Sequence, residues 1–188
     1  MRKVIVSEFV SLDGVIEHPA WTVPFESEEK DQFKFAELKA ADALLLGRVT
    51  YEGFAAAWPG MAEETGEYGA WMNGYPKYVV STTLDKAEWN NSTIIRDNVA
   101  GEVAKLKGQP GGDILVFGSG VLAESLRRHG LIDEYRLMVF PVVVGKGQRL
   151  FTEAFDSTLQ LVESKTLGAG VVALTYKPAA KEGADTQN

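Results

Sequence analysis

Apolar positions along this chain repeat first with the period of a strand and then with that of a helix, and the alternation marks its elements. Residues 3–10 are β-branched and aromatic and predict a central strand. An Asp-Gly turn follows within Ser11-Leu12-Asp13-Gly14-Val15-Ile16, then a loop with Pro19, Trp21 and Pro24. Two readings of that loop stay open: a lid over a pocket, or an apolar loop packed on the core. Ser27 ahead of Glu28, Glu29 and Lys30 reads as an N-cap with acids in the first turn, and Phe33, Leu38 and Ala41 give the helix over 27–41 an inward face. A short buried strand at 43–46 ends in Gly47-Arg48. Thr50 caps a further helix through Tyr51, Glu52 and Phe54, which Trp58-Pro59-Gly60 stops. Residues 61–76 are small and aromatic and read as a short helix and a loop.

The second half keeps the alternation. Strands at 77–81 and 93–96, a helix over 99–107, and a break at Gly108 and Pro110-Gly111-Gly112 lead to Asp113-Ile114-Leu115-Val116-Phe117-Gly118-Ser119-Gly120-Val121-Leu122. This stretch is a buried strand, a glycine turn and the start of a helix over 120–129, with Gly130 as its C-cap. A strand over 135–144 carries Pro141 near an edge or bulge. After the turn Gly145-Lys146-Gly147, residues 159–167 and 171–176 form a hairpin around Gly168-Ala169-Gly170. Residues 1–178 are expected to be one domain and 179–188 a frayed tail. The pattern predicts an α/β fold, a mixed sheet with helices on both faces. Ligands in such sheets collect where strands end and helices begin.

Composition narrows the partners. The 19 basic against 26 acidic residues give a net charge of −7, which argues against nucleic acid while leaving room for a local basic pocket. The absence of cysteine excludes disulfides, thiol nucleophiles and zinc–thiolate sites. Ser7 and Glu8 interrupt the first apolar run too early for a signal peptide, and no run approaches the ~20 residues of a membrane span. A cytoplasmic protein without a membrane partner is expected.

Three strand ends share one chemistry: Gly47-Arg48-Val49-Thr50, Ser81-Thr82-Thr83 and Gly118-Ser119-Gly120. If their strands are neighbours, the three turns make one anion-lined rim, with helix N-termini behind it. Arg48 is then a partner for phosphate through paired N–H bonds; otherwise it is a surface arginine. No Walker loop occurs. Gly-Ser-Gly-Val-Leu-Ala partly fits the dinucleotide fingerprint, but Asp133-Glu134 precede the next strand instead of ending it.

These residues resemble the dihydrofolate-reductase-like superfamily, in particular its RibD C-terminal branch. The resemblance rests on Ser11-Leu12-Asp13-Gly14, Leu46-Gly47-Arg48-Val49-Thr50-Tyr51-Glu52, Val80-Ser81-Thr82-Thr83, Val116-Phe117-Gly118-Ser119-Gly120, Gly130-Leu131-Ile132-Asp133-Glu134 and Pro141-Val142-Val143-Val144-Gly145-Lys146-Gly147, in the family's order. It implies a three-layer fold with a central, mostly parallel, mixed eight-stranded sheet and a C-terminal antiparallel hairpin, and NADPH across the strand ends. By position, Arg48 and Thr50 would hold phosphates. Ser81, Thr82 and Thr83 would lie near the adenosine 2′-phosphate. Gly47 and the run Gly118, Ser119, Gly120, Val121 and Leu122 would cradle the pyrophosphate, and Asp13, Gly14 and Val15 would edge the nicotinamide. The family often joins a glycine pair at this turn by a cis bond; here Ser119 stands second, where cis costs about 3 kcal/mol.

On the substrate side, Asp31 falls where folate-reducing members keep their acid; the other reading is that it decorates an acidic first turn with Glu28 and Glu29. Trp21, Phe25, Tyr51, Phe54, Trp58 and Trp71 would wall a planar substrate, or else are core. The resemblance thus implies an NADPH-dependent reductase acting on a small heterocyclic or ribosylamine-type molecule. Its rivals are a non-catalytic NADP-binding module and a Rossmann-type dehydrogenase. The zinc deaminase joined to this domain in bifunctional riboflavin enzymes is excluded, since cysteine is absent and His18 and His129 lack its context; no metal is expected. A homodimer through residues 137–144 and the terminal hairpin is implied by the family, with core burial as the alternative for that apolar strand.

Overall fold

A computed structural model describes residues 1–152 and 156–180. Eight strands among these residues form one sheet: β1 Val4–Ser11, β2 Ala41–Gly47, β3 Lys77–Val80, β4 Ser92–Ile95, β5 Asp113–Phe117, β6 Glu134–Phe140, β7 Leu159–Thr166 and β8 Val172–Pro178. Their order is β4-β3-β2-β5-β1-β6-β8-β7. Every pair from β4 to β6 is parallel, and only β8 and β7 run against their neighbours. The order is not that of a doubly wound Rossmann sheet, which removes the dehydrogenase alternative. Most of the expected frayed tail, 181–188, lies outside the described residues; before it, the Ala179 N–H donates to Thr158 O at 3.0 Å.

Among the described residues, five α-helices cover the two faces: α1 Glu28–Ala40, α2 Arg48–Met61, α3 Gly66–Gly74, α4 Val99–Gly108 and α5 Gly120–Arg128. The central strands read as unbroken apolar runs because both of their faces are covered. Leu45, Ile114 and Val116 pack with Val103, Leu106, Leu122 and Leu126 of α4 and α5. Leu44, Leu46 and Leu115 pack with Leu38, Tyr51 and Met72 of α1, α2 and α3. A third cluster sets Met138, Phe140, Leu167 and Val171 against Phe9, Trp21, Phe25 and Phe33. Trp21 and Phe25 meet the Phe140 ring edge-on at 5.6 and 6.0 Å. The 3-10 turn Pro19–Phe25 is therefore anchored on the core, as the second reading of that loop had it.

The structure corrects two sequence expectations. Helix α2 begins at Arg48, with Gly47 as its N-cap, and runs through Pro59 to Met61 instead of starting after Thr50 and stopping at Trp58. Proline removes its own N–H bond to the preceding turn but leaves later residues free to continue. Trp58 holds this turn in place through contacts with Phe54 at 6.4 Å and Tyr68 at 5.5 Å. Strand β6 ends at Phe140 instead of extending to residue 144, because Pro141 has no N–H for the ladder. Beyond it, Val142 O accepts from the Leu12 N–H at 2.8 Å, tying this segment to the turn after β1. Leu137, Met138 and Phe140 are buried in this chain's own core, whereas Leu161 and Val162 on the edge strand β7 are exposed.

Candidate functional site

Parallel strands β1, β5 and β2 deliver three turns to one side of the sheet, and a cleft of about 1270 Å³ opens there. This exceeds the roughly 300–1,000 Å³ typical of a single small-molecule pocket. One wall is built from the turns after β2 and β5. Gly118 and Ser119 both have positive φ, 57° and 62°, joined by a trans bond. That conformation turns the Ser119 hydroxyl toward β2, where it accepts from the Gly47 N–H at 2.9 Å and bonds the Thr50 hydroxyl at 2.9 Å. Side chains have no room at this junction. A Cβ on Gly47 would stand 2.6 Å from Ser119 Oγ, and one on Gly118 would stand 2.6 Å from Thr50 Oγ1.

Helices α2 and α5 both start at this junction, and neither has a side-chain cap. Their first-turn N–H groups and positive dipole ends face the same wall of the cleft. Arg48, in the first turn of α2, is half exposed and pairs with Glu52 at 2.9 Å. Gly120 lies close under Gln148 and Ile16: a Cβ there would meet Gln148 Nε2 at 2.9 Å and Ile16 Cδ1 at 3.0 Å.

The opposite wall comes from β1 and α1. Asp31 lines the cleft from the first turn of α1 and is exposed. Deeper, Lys34 donates to Ser7 Oγ at 2.7 Å, pairs with the buried Glu37, and lies over the Phe117 ring at 4.4 Å from its centroid. Glu8 lies on β1 between two parallel neighbours, lines the cleft and is only 5% exposed. Its Oε1 has no hydrogen-bond partner among the described residues. Burial raises the Glu8 carboxyl to about 8; Lys34 and the Gly118 N–H act the other way, and Glu37 adds to the rise. Phe54, Trp58, Phe35 and Tyr68 supply the apolar sides. Burial, then the charges of Glu37 and Asp31, push the Tyr68 hydroxyl upward, so it stays a neutral donor.

The sequence-derived candidates divide between this cleft and its surroundings. Gly47, Arg48, Thr50, Gly118, Ser119, Gly120, Val121, Leu122, Asp31, Phe54 and Trp58 all line it. Asp13, Gly14 and Val15 lie behind it. Asp13 pins the turn after β1, accepting from Ser11 Oγ at 2.6 Å and from the N–H groups of Val144 and Gly145 at 3.0 and 2.7 Å. These bonds hold its carboxyl low, at about 2. Val15 is fully buried and bridged to Arg149, while Ile16, Glu17, His18 and Pro19, just beyond it, reach the cleft. Ser81 Oγ accepts from the N–H groups of Thr83 and Leu84 in its own turn; Thr82 and Thr83 are exposed beside the cleft edge marked by Val80. Trp21 and Phe25 belong to the third core cluster. Tyr51 is buried with its hydroxyl accepting from the Trp89 N–H at 3.0 Å, and Trp71 packs on Phe35 and Tyr75.

Sequence reasoning passed over Ser7, Glu8, Lys34 and Tyr68. The legible signal was Glu8 itself, a charge within Val-Ile-Val-Ser-Glu-Phe-Val, where a strand covered on both faces gives a carboxylate no water.

The sheet order and the two helical layers define a dihydrofolate-reductase-like fold. The chain superposes with a TM-score of 0.76 on a putative riboflavin biosynthesis protein from Shewanella sp. PV-4, at 22% identity over 95% of this chain and 99% of that one. It superposes with a TM-score of 0.59 on dihydrofolate reductase from Enterococcus faecalis complexed with NADP(H) and RAB-propyl, at 16% identity, covering 95% and 97% of the two chains. The chain belongs to the RibD C-terminal domain family, whose model matches residues 2–173. Among curated relatives, Uncharacterized protein YyaP of Bacillus subtilis (strain 168) is 33% identical over 178 residues, 93% of this chain and 94% of that protein. No described helix is long and apolar enough to cross a membrane.

Proposed function

We propose that this chain is an NADPH-dependent reductase that transfers a hydride to a small heterocyclic or ribosylamine-type substrate, of the kind reduced in riboflavin biosynthesis or by dihydrofolate reductase. Family membership and the fold support a reductase in general terms. The observation that carries the finer reading is the junction at Ser119, where two uncapped helix N-termini and three side-chain-free backbone positions face one cleft. Such a surface takes a pyrophosphate: N–H groups already point outward, and glycine allows close approach.

The residues present fit the cofactor. Gly47, Thr50 and Gly118 to Leu122 would hold its pyrophosphate, and Arg48 with the exposed Thr82 and Thr83 would meet the 2′-phosphate. The turn holding Asp13, Gly14 and Val15 would support the nicotinamide end from behind. When bound, the reduced nicotinamide supplies a hydride. The chain's own work is to orient and to exclude water: Phe35, Phe54 and Trp58 would flank a planar acceptor, and Asp31 at the cleft mouth would bind its polar edge. In the same reading the protein is cytoplasmic and pairs as a homodimer through the exposed edge strand β7.

Addition of NADPH should raise the unfolding temperature of the chain, and NADPH should be oxidised with at least one of dihydrofolate, a pterin and the ribosylaminouracil intermediate of riboflavin synthesis. Absence of any thermal shift with NADPH or NADH refutes the cofactor assignment. A shift without oxidation of NADPH by any of the three acceptors leaves a non-catalytic binding module as the better reading.

A further inference from the structure

We infer that Glu8, buried in the cleft beside the Gly118-Ser119 turn, is the group that holds the proton delivered to the substrate, with Asp31 acting only in binding. This rests on the reductase reading above. Glu8 differs from the neighbouring buried acid. Glu37 Oε1 likewise lacks a hydrogen bond among the described residues, but Glu37 is ion-paired: it pairs with Lys34, accepts from the Ser7 hydroxyl at 2.8 Å and has Arg136 at 3.8 Å, as a structural carboxylate should. Lys34 directs its hydrogen bonds to Ser7 and Glu37, and Arg136 reaches Glu37, Glu134 and Asp113; among the described residues no ion pair reaches Glu8. Glu8 lines the cleft, and its buried Oε1 has no hydrogen-bond partner among the described residues. A buried carboxylate with one oxygen left without a donor is costly to ionise, and such a group takes up a proton instead.

The surrounding charges agree. From α1, Lys34 favours the ionised form and Glu37 opposes it; from the turn after β5, the Gly118 N–H favours it; burial outweighs all three, leaving the carboxyl at about 8. Glu8 is thus protonated at neutral pH yet close enough to neutrality to release the proton, the match a general acid requires. Asp31, by contrast, is exposed at the cleft mouth.

Reduction of a C=N or C=O bond adds hydride at carbon and a proton at nitrogen or oxygen. A bound reduced nicotinamide would supply the hydride. The O–H bond of Glu8 breaks as the N–H or O–H bond of the product forms. Glu8 is left as a carboxylate, steadied by Lys34 and the Gly118 N–H, and water restores its proton after product leaves.

Carboxyl carbon NMR of the cofactor-free chain tests the protonation, with Glu8→Gln for assignment. One glutamate carboxyl should titrate more than two pH units above the ordinary value of about 4.3 and vanish in the variant. A spectrum without such a resonance, or one that keeps it in Glu8→Gln, overturns the inference whether or not the variant is stable. Tryptophan-fluorescence titration should give the variant an NADPH affinity within about twofold of the wild type. Its turnover with the active acceptor should fall at least ~100-fold, with loss of the fall in rate between about pH 7 and pH 9. Unchanged turnover overturns Glu8 alone, whereas a wild-type chain that neither binds nor oxidises NADPH overturns the parent reading and the proton step with it.

Discussion

Ser119 does work that its residue type does not advertise. A non-glycine residue at positive φ is uncommon, and here it aims one hydroxyl at both Gly47 and Thr50, locking two loops separated by some seventy residues into one wall. Arg48 stands at the edge of that wall, tethered by Glu52 on the next helical turn. Because it is half exposed, its pair with Glu52 contributes little to folding. Arg48→Ala should weaken NADPH binding, measured by fluorescence titration, by about 1.5–3 kcal/mol, as for loss of a charge-assisted bond. An NADPH loss greater than the NADH loss places Arg48 at the 2′-phosphate; equal losses place it at the pyrophosphate. Arg48 was legible in the sequence because Gly-Arg followed a buried strand. The bond between Ser119 and Gly47 was not, since nothing local links positions so far apart.

At the scale of elements, β3 depends on a lysine that side-chain statistics would place outside. Lys77 is fully buried; its ammonium donates to the carbonyls of Asn73, Tyr75 and Asn90 at 2.9, 2.8 and 3.0 Å and lies 4.2 Å from the Trp89 ring centroid. Burial alone draws its pKa to about 8, and the three carbonyls and the ring face oppose that pull. The ammonium closes the C-terminal end of α3 against the start of β3 and the turn before β4. Lys77→Met keeps the volume but leaves those carbonyls without their donor. It should cost about 2–4 kcal/mol in denaturant unfolding while sparing NADPH affinity, since none of these groups lines the cleft. Helix α2 shows the limit of local signals in the opposite sense. Trp58-Pro59-Gly60 reads as a stop, yet packing of Trp58 on Phe54 and Tyr68 carries the helix one turn further and brings Trp58 to the cleft.

For the whole molecule, Glu8 and Asp13 bend stability against pH in opposite directions. Glu8 has a native pKa raised to about 8, so the folded state binds more protons than the unfolded state between about 4.3 and 8. Its contribution is fully present below that window and is lost as pH rises through it. Asp13, held at about 2 by Ser11 and two backbone N–H groups, contributes above about 3.9 and loses that contribution as pH falls toward 2. In denaturant titrations from about pH 5 to pH 9, the wild type should lose stability relative to Glu8→Gln, by on the order of a few kcal/mol in total. Parallel curves for the two proteins would show that Glu8 is ionised throughout.

The sequence alone determined the element order, the mixed sheet, the terminal hairpin and the glycine turns at the strand ends. Each follows from short-range causes: apolar runs that need cover on both faces, glycines at sharp turns, and caps beside the helices they start. It also supplied the ordered set of short segments by which the family can be recognised. Only the tertiary structure decided which candidates share a site. Strand order brought Gly47 and Ser119 together across β2 and β5, and the pinning of Asp13 to Val144 and Gly145 held its turn behind the cleft wall. The same packing drew Trp21 and Phe25 onto Phe140 and turned Glu8 from a charge in a strand into a buried acid with one oxygen left without a hydrogen bond among the described residues. Burial and partnership depend on elements distant in the chain, and no local pattern encodes them.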